Sequence, residues 1–109
     1  MRDEDADLIA AIRNGAADDF AQIIRRHQSH VFAILYRYER DHQKLEDLAP
    51  ETFLKAWRGL ASFDGRAPFQ HWLSRIATHV ALDHLRKEKR RRAEVGLYDA
   101  EGVIAGNAV

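Results

Sequence analysis

Cysteine is absent from the sequence, which removes disulfide frameworks, thiolate metal clusters and thiol redox chemistry together. That absence agrees with a reducing, cytoplasmic setting. Only two prolines and six glycines interrupt the 109 residues, and no five-residue stretch alternates between turn signals as a half-buried strand does. No apolar run approaches the ~20 residues that a membrane span requires. The acidic start Met1-Arg2-Asp3-Glu4-Asp5 also lacks the charge and the apolar block of a signal peptide. These absences leave a soluble, all-helical chain of about one domain's length, with no membrane insertion expected.

Enzyme signatures are missing as well. The sequence holds no Gly-rich phosphate loop, no His-Glu-x-x-His pair and no Glu-x-x-His di-iron motif. Its six histidines stand at 27, 30, 42, 71, 79 and 84. His27 and His30 are three apart with no third ligand nearby, and His71 is out of same-face register with His79 and His84. The expectation is therefore no metal, no cofactor and no catalysis.

Periodicity predicts a bundle of about four helices with a long last one. Helix one runs from about Asp5 to Asn14, with Asp3 or Asp5 as cap, Leu8, Ile9 and Ile12 on one side, and Gly15 as a left-handed stop. Helix two runs from about Asp18 to Arg40. Its Phe20, Ile23, Ile24, His27, Val31, Ile34, Leu35 and Tyr38 fall within an arc of ~120°, the width of a core-facing stripe. His27 lies inside that stripe and reads as a hydrogen-bonded structural histidine. Helix three, about Leu45 to Leu60, buries Leu45, Leu48, Ala49, Thr52, Phe53, Ala56 and Leu60. Pro50 inside it deletes one hydrogen bond at a cost of ~3 kcal/mol, so the helix is expected to kink there or to begin later. The loop from Ser62 through Phe63, Asp64, Gly65, Arg66 and Ala67 offers Gly65 for a positive φ and leads to Pro68 as the first position of helix four. Helix four is expected to reach about Ala93, ~39 Å at 1.5 Å per residue, with Phe69, Leu73, Ile76, Ala77, Val80 and His84 inward. Residues 96–109 read as a tail or linker.

The formal charge is zero, yet cations and anions are segregated. Residues 1–50 hold 7 Lys/Arg and 10 Asp/Glu, and residues 51–109 hold 10 and 7. The segment Arg86-Lys87-Glu88-Lys89-Arg90-Arg91-Arg92 suits a polyanionic partner or, alternatively, a solvated helix end whose cations complement the dipole. On helix four, Arg75, His79 and Arg86 share one flank with Trp72 and Asp83 over an arc of ~80°. That flank combines cations for phosphates, polar groups for base edges and an aromatic plane for stacking. A structural alternative places Trp72 at the core margin and pairs Asp83 with Arg86 or Lys87. Ahead of the flank, Phe63 and Phe69 bracket a Gly65-Arg66 turn suited to a small pocket beside a helix N-terminus, where an anion is favoured. On helix three, Asp47, Glu51, Leu54 and Arg58 form an exposed stripe. Its pattern suits a partner-binding helix and a solvated face with one stray leucine equally well.

Taken in order, these features resemble region two of the extracytoplasmic-function (ECF) group of bacterial sigma factors. Leu45-Glu-Asp-Leu-Ala-Pro-Glu-Thr-Phe-Leu-Lys-Ala-Trp57 is similar to that family's polymerase-binding segment. Phe63-Asp-Gly-Arg-Ala-Pro-Phe-Gln-His-Trp-Leu73 is similar to its base-pocket loop, and Ile76-Ala-Thr-His-Val-Ala-Leu-Asp-His-Leu-Arg86 with the basic run to its minus-ten-reading helix. The resemblance covers about residues 5–94. It implies that Asp47, Pro50, Glu51, Leu54 and Arg58 dock on the clamp helices of RNA polymerase's largest subunit. It further implies that Phe63, Asp64, Gly65, Arg66 and Phe69 receive a base flipped from the non-template strand of the minus-ten element, with Trp72, Arg75, His79, Asp83 and Arg86 on neighbouring bases and phosphates. Anti-sigma proteins cover the same surfaces in this family, so one is an expected second partner.

Two positions depart from the family pattern. Pro50 stands where glutamine usually precedes the glutamate of the polymerase contact, and His79 stands where many members carry asparagine. The imidazole offers hydrogen-bond donors different from those of the amide, which bears on base preference. The division implied is a region-two domain over 1–95 and a tail or the start of a linker over 96–109. The family's second DNA-binding domain has no counterpart in these residues, which suggests an excised domain. Two other readings compete. One is a protein-interaction module engaging polymerase or an anti-sigma factor without productive DNA binding. The other is a duplex-binding helix-turn-helix, which a seven- or eight-residue loop between helices three and four fits less well.

Overall fold

The computed structural model describes residues 3–102, with side chains as far as Gly96. Among the described residues all regular structure is helical: α1 (Ala6–Arg13), α2 (Phe20–Tyr36), α3 (His42–Gly59) and α4 (Phe69–Gly102), with 3-10 turns at Ala17–Asp19 and Leu60–Ser62. Helices α2, α3 and α4 pack on one another in all three pairings, and α1 lies against α2. The shared core follows the expected stripes. Ile23, Val31 and Leu35 of α2, Leu45 and Ala56 of α3, and Phe69, Leu73, Ala77 and Val80 of α4 are all buried.

Each helix end has a local cause. Gly15 adopts φ 110°, the left-handed stop expected after helix one, and the Gly15 and Ala16 amides bond back to Ile12 and Ala11. Helix two ends at Tyr36, short of Arg40, because the Arg37 and Tyr38 amides tighten onto the carbonyls three residues back. Helix three begins at His42, three residues before the apolar pattern starts. Asp41, in an extended conformation, accepts from the Gln43 and Lys44 amides and nucleates the helix there.

Pro50 is built into α3, which runs on both sides of it, so the expected later start does not occur. Pro50 is exposed, and water can reach the Glu46 carbonyl that loses its partner. Helix four also differs at both ends. Pro68 is not its first helical residue but the carbonyl acceptor for its first turn, accepting from His71 at 2.9 Å and Trp72 at 3.4 Å. At the other end α4 passes Ala93 and continues to Gly102. The tail expected from Gly96 is therefore helical as far as 102, and residues 103–109 lie outside the described residues.

Candidate nucleic-acid interface

Three open cavities follow one another along α4. The first, about 290 Å³, is lined by the loop residues Ser62, Phe63, Asp64, Arg66 and Ala67 together with His71, Trp72 and Arg75. The second, about 230 Å³, is lined by Trp72, Arg75, Ile76 and His79. The third, about 420 Å³, is lined by Ile76, His79, Val80, Asp83 and Arg86, with Lys55 of α3 as the opposite wall. Because neighbouring cavities share Trp72, Arg75 and His79, they form one groove from the loop to Arg86. The expected flank of Trp72, Arg75, His79, Asp83 and Arg86 is thus brought together on one surface.

The head of the groove rests on an aromatic cluster. Phe63, Phe69 and Trp72 have ring centroids 5.3 to 5.5 Å apart, and the His27 ring lies 5.5 Å from Phe69. Trp72 is half-buried and packs against the core, as the structural alternative held, while still lining two of the cavities. Phe69 differs from the expectation. It is fully buried in the core and lines no part of the groove, so it supports the pocket from beneath. An apolar first residue of α4 facing inward has no route to solvent, and Phe63, 7 % exposed, alone presents an aromatic edge from the bracket.

The turn between them is locally determined. Gly65 takes φ 77°, as expected. Asp64 Oδ1 accepts from the Arg66 amide at 3.0 Å, and its Oδ2 lies 3.4 Å from Arg66 Nε. Asp64, Gly65 and Arg66 are all exposed at the groove's mouth. The anion expected at the start of helix four is already present, and it belongs to the chain. Asp3 Oδ2 accepts from the Phe69 amide at 2.7 Å, so that position is closed to a phosphate.

Farther along, Asp83 lies 3.2 Å from Lys87 and 3.8 Å from Arg86. The hydrogen bond from Lys87, with Arg86 and Lys55 nearby, holds its carboxyl below the usual carboxylate range. Asp83 is therefore an anion set in the cationic wall, available as an acceptor and a local electrostatic brake on phosphates.

On α3, Asp47, Pro50, Leu54 and Arg58 are exposed and Glu51 is partly so, forming the expected outward stripe. Leu54 is 46 % exposed, and Trp57 beside it is 40 % exposed with one edge on Phe20 at 5.1 Å. Trp57 lies outside the stripe expected from spacing; its exposure follows from a register that buries Phe53 and Ala56 instead.

Other residues of the site are not legible from helix spacing. Lys55 escapes a reading of α4 alone because it comes from a neighbouring helix. Asp3 and Arg13 escape because their partners lie 66 and about 50 positions away: Arg13 Nη2 donates to the carbonyls of Leu60, at 2.8 Å, and Phe63. His71, out of register for a metal pair, lines the loop cavity instead. Among the described residues, no group of three or more His, Asp or Glu is placed to hold a metal ion, and no helix is long and apolar enough to cross a membrane.

An all-helical domain with a partly apolar, charged stripe on one helix and an aromatic-headed basic groove along the next is the class that fold and site define. The chain belongs to the sigma-70 region 2 family, whose sequence profile matches residues 23–91. It is similar to the RNA polymerase sigma-H factor of Pseudomonas aeruginosa, with 32% identity over 102 residues covering 92% of this chain and 53% of that protein. It is similar also to the ECF RNA polymerase sigma factor SigW of Bacillus subtilis, 35% identical over 81 residues, 74% of this chain and 43% of that protein. The ECF RNA polymerase sigma-E factor of Haemophilus influenzae is 32% identical over 104 residues, 94% of this chain and 54% of that protein. The chain spans about half the length of these curated relatives. Among solved structures, an engineered region 2 of sigmaE in complex with GTAAAA superposes with a TM-score of 0.74 at 32% identity, covering 84% of this chain and 97% of that one.

Proposed function

We propose that this domain acts in transcription initiation. It binds RNA polymerase core through the α3 stripe of Asp47, Pro50, Glu51, Leu54 and Arg58, and it recognises and melts the promoter minus-ten element through the 63–69 loop and α4. The observation that carries the reading is the row of three adjoining cavities from Phe63 to Arg86, neighbours sharing lining residues. A single strand needs cations spaced along its backbone and an aromatic face for a base. The groove offers Arg66, Arg75, Lys55 and Arg86 for the first and Trp72 with Phe63 for the second. Unstacking a base costs a few kcal/mol, and capture in the loop cavity offsets that cost. The solved sigmaE region 2 with GTAAAA supports the assignment through its shared fold and 32% identity.

On this reading the polymerase contact is with the clamp helices of the largest subunit, the strand is the non-template one, and an anti-sigma protein covers the same two surfaces. A cytoplasmic location and a role without catalysis belong to the same proposal. So does the division into a domain over 1–95 and the start of a linker over 96–109, which then begins as helix.

Titration of labelled single-stranded GTAAAA at increasing salt tests it. The expected slope of log affinity against log salt is about −0.7 per phosphate neutralised. Arg75→Ala with Arg86→Ala abolishes strand binding while docking to polymerase core persists. A slope near zero, or unchanged strand binding in the double variant, rejects promoter reading and leaves a protein-interaction module that works through α3 alone.

A further inference from the structure

The loop that heads the groove makes few bonds of its own. Its internal contacts are the Phe63 amide to the Leu60 carbonyl and the Asp64 side chain to Arg66. Both of its ends are held from α1 and the residues just before it. At the entry, Arg13 Nη2 donates to the carbonyls of Leu60 and Phe63, and its guanidinium lies 5.8 Å from the Phe63 ring centroid. At the exit, Asp3 accepts from the Phe69 amide, and its other oxygen accepts from the Asp5 amide at 3.2 Å. Asp5 is in turn bonded to Arg26 and His27, whose ring abuts Phe69. The turn at Gly65 thus hangs between two fixed points 6 residues apart, Phe63 and Phe69.

Phe63 is a wall shared by two spaces. It lines the loop cavity and also a cavity of about 160 Å³ with Asp3, Ile9, Arg13 and Gly65. No described residue of α1 lines the groove itself, so α1 can influence a bound strand there only through the loop. Arg13 is exposed and outside the core. Its removal is therefore expected to free the loop while the α2, α3 and α4 core stays folded.

We propose that residues 3–13 form a clasp that sets the shape of the base pocket, with Arg13 and Asp3 as positioning residues for base capture. This rests on the reading that the loop takes a base from a single strand. The clasp fixes the Phe63 edge against Trp72 before the strand arrives, so that binding does not have to order the loop.

Two readouts test it. In a Trp57→Phe background, Trp72 fluorescence reports on the loop without DNA. Arg13→Gln is expected to increase acrylamide quenching of Trp72 with helix content unchanged, Arg13→Lys to restore part of the protection, and Asp3→Ala to reproduce the effect from the other end. The second readout compares GTAAAA with six versions that each lack one base. The parent domain loses affinity most at the position held in the pocket. Arg13→Gln binds the intact strand roughly tenfold more weakly, yet leaves binding of the strand lacking that base unchanged, so the two converge.

Unchanged quenching in both Arg13→Gln and Asp3→Ala overturns the clasp, as does an equal loss of affinity on all seven strands. Failure of the parent domain to bind any strand rejects the single-strand reading instead, and Trp72 quenching still decides whether the clasp exists. Loss of helix content in Arg13→Gln moves both comparisons to Asp3→Ala, where the same outcomes apply.

Discussion

Asp5 is 1 % exposed, and its two carboxylate oxygens lie 2.8 Å from Arg26 Nη1 and 2.8 Å from His27 Nε2. A carboxylate this deep is tolerated only because donors replace its lost hydration. The place of His27 in an apolar stripe marks it as structural, and the Asp5 bond bears that out. The partner itself is not legible in the sequence, since Asp5 sits 22 residues away and reads there only as a candidate cap of helix one. Asp5→Ala leaves Arg26 and His27 without their acceptor and is expected to lower stability by about 3 kcal/mol in urea unfolding. A decrease below about 1 kcal/mol would mean that water replaces the carboxylate. Glu88 shows the opposite regime, at the surface. The hydrogen bond from Lys44, then that from Arg91, pulls its carboxyl down to about 2. A lowered folded pKa gives stability that is present above the ordinary carboxylate value near 4.5 and is lost as pH falls toward 2. Glu88→Gln is therefore expected to lower the melting temperature at pH 7, with the gap to the parent protein closing between about pH 4.5 and 2. A gap that stays constant down to about pH 2 rules out this pair as its source.

At the scale of elements, the apolar stripes are legible in the sequence and the helix ends are not. Stripes are set by burial, which every third or fourth residue reports, whereas an end is set by one or two residues whose cue is easily overlooked. Asp41 caps α3 four residues before its first buried leucine, so a reading tied to periodicity starts the helix too late. Helix four outruns its apolar pattern, continuing from Ala93 to Gly102. Pro50 is the instructive conflict. Local propensity argues for a break, but Leu48, Ala49, Thr52 and Phe53 around it are all buried, and their packing keeps α3 continuous. The strain remains in the energy even though it does not appear as a gap. Pro50→Gln restores an amide for the Glu46 carbonyl and is expected to stabilise the domain by about 2 kcal/mol, less than the full proline penalty because the unfolded chain regains freedom. Since this residue stands on the proposed polymerase stripe, the same variant is expected to bind core polymerase more tightly. Tighter folding with weaker docking would show that the stripe is adapted to proline.

For the whole molecule, the controlling feature is that one helix is longer than the bundle needs. The principal extents are 59 × 24 × 22 Å with a radius of gyration of 18.3 Å, against the ~13 Å expected for a compact chain of this size. Helix α4, at 34 residues, accounts for the long axis. Toward its far half it is tied to the rest of the domain by His84 to Glu39 at 2.7 Å and Glu88 to Lys44 at 2.9 Å. Beyond them Lys89 to Arg92 are exposed, and at about 100° per residue Arg90 falls on the flank of Asp83 and Arg86 that lines the groove. The zero net charge thus conceals a basic track that begins at the loop and continues past the bundle. The run is not a helix end, since α4 continues ten residues past Arg92 to Gly102, so the expected complement to the helix dipole does not apply to it. The alignment of Arg90 with the groove predicts that strand length matters. Replacing Arg90 by alanine is expected to leave the melting temperature within a degree or so, because exposed positions away from the core contribute little. Binding of a strand that fits the groove alone should also be unchanged. On a strand extended beyond Arg86, the same variant should reduce the magnitude of the salt slope by about 0.7 for each phosphate that is no longer neutralised. Equal slopes on short and long strands would leave the basic run as a solvated face of α4, because exposed cations that touch no phosphate do not register how far the strand extends.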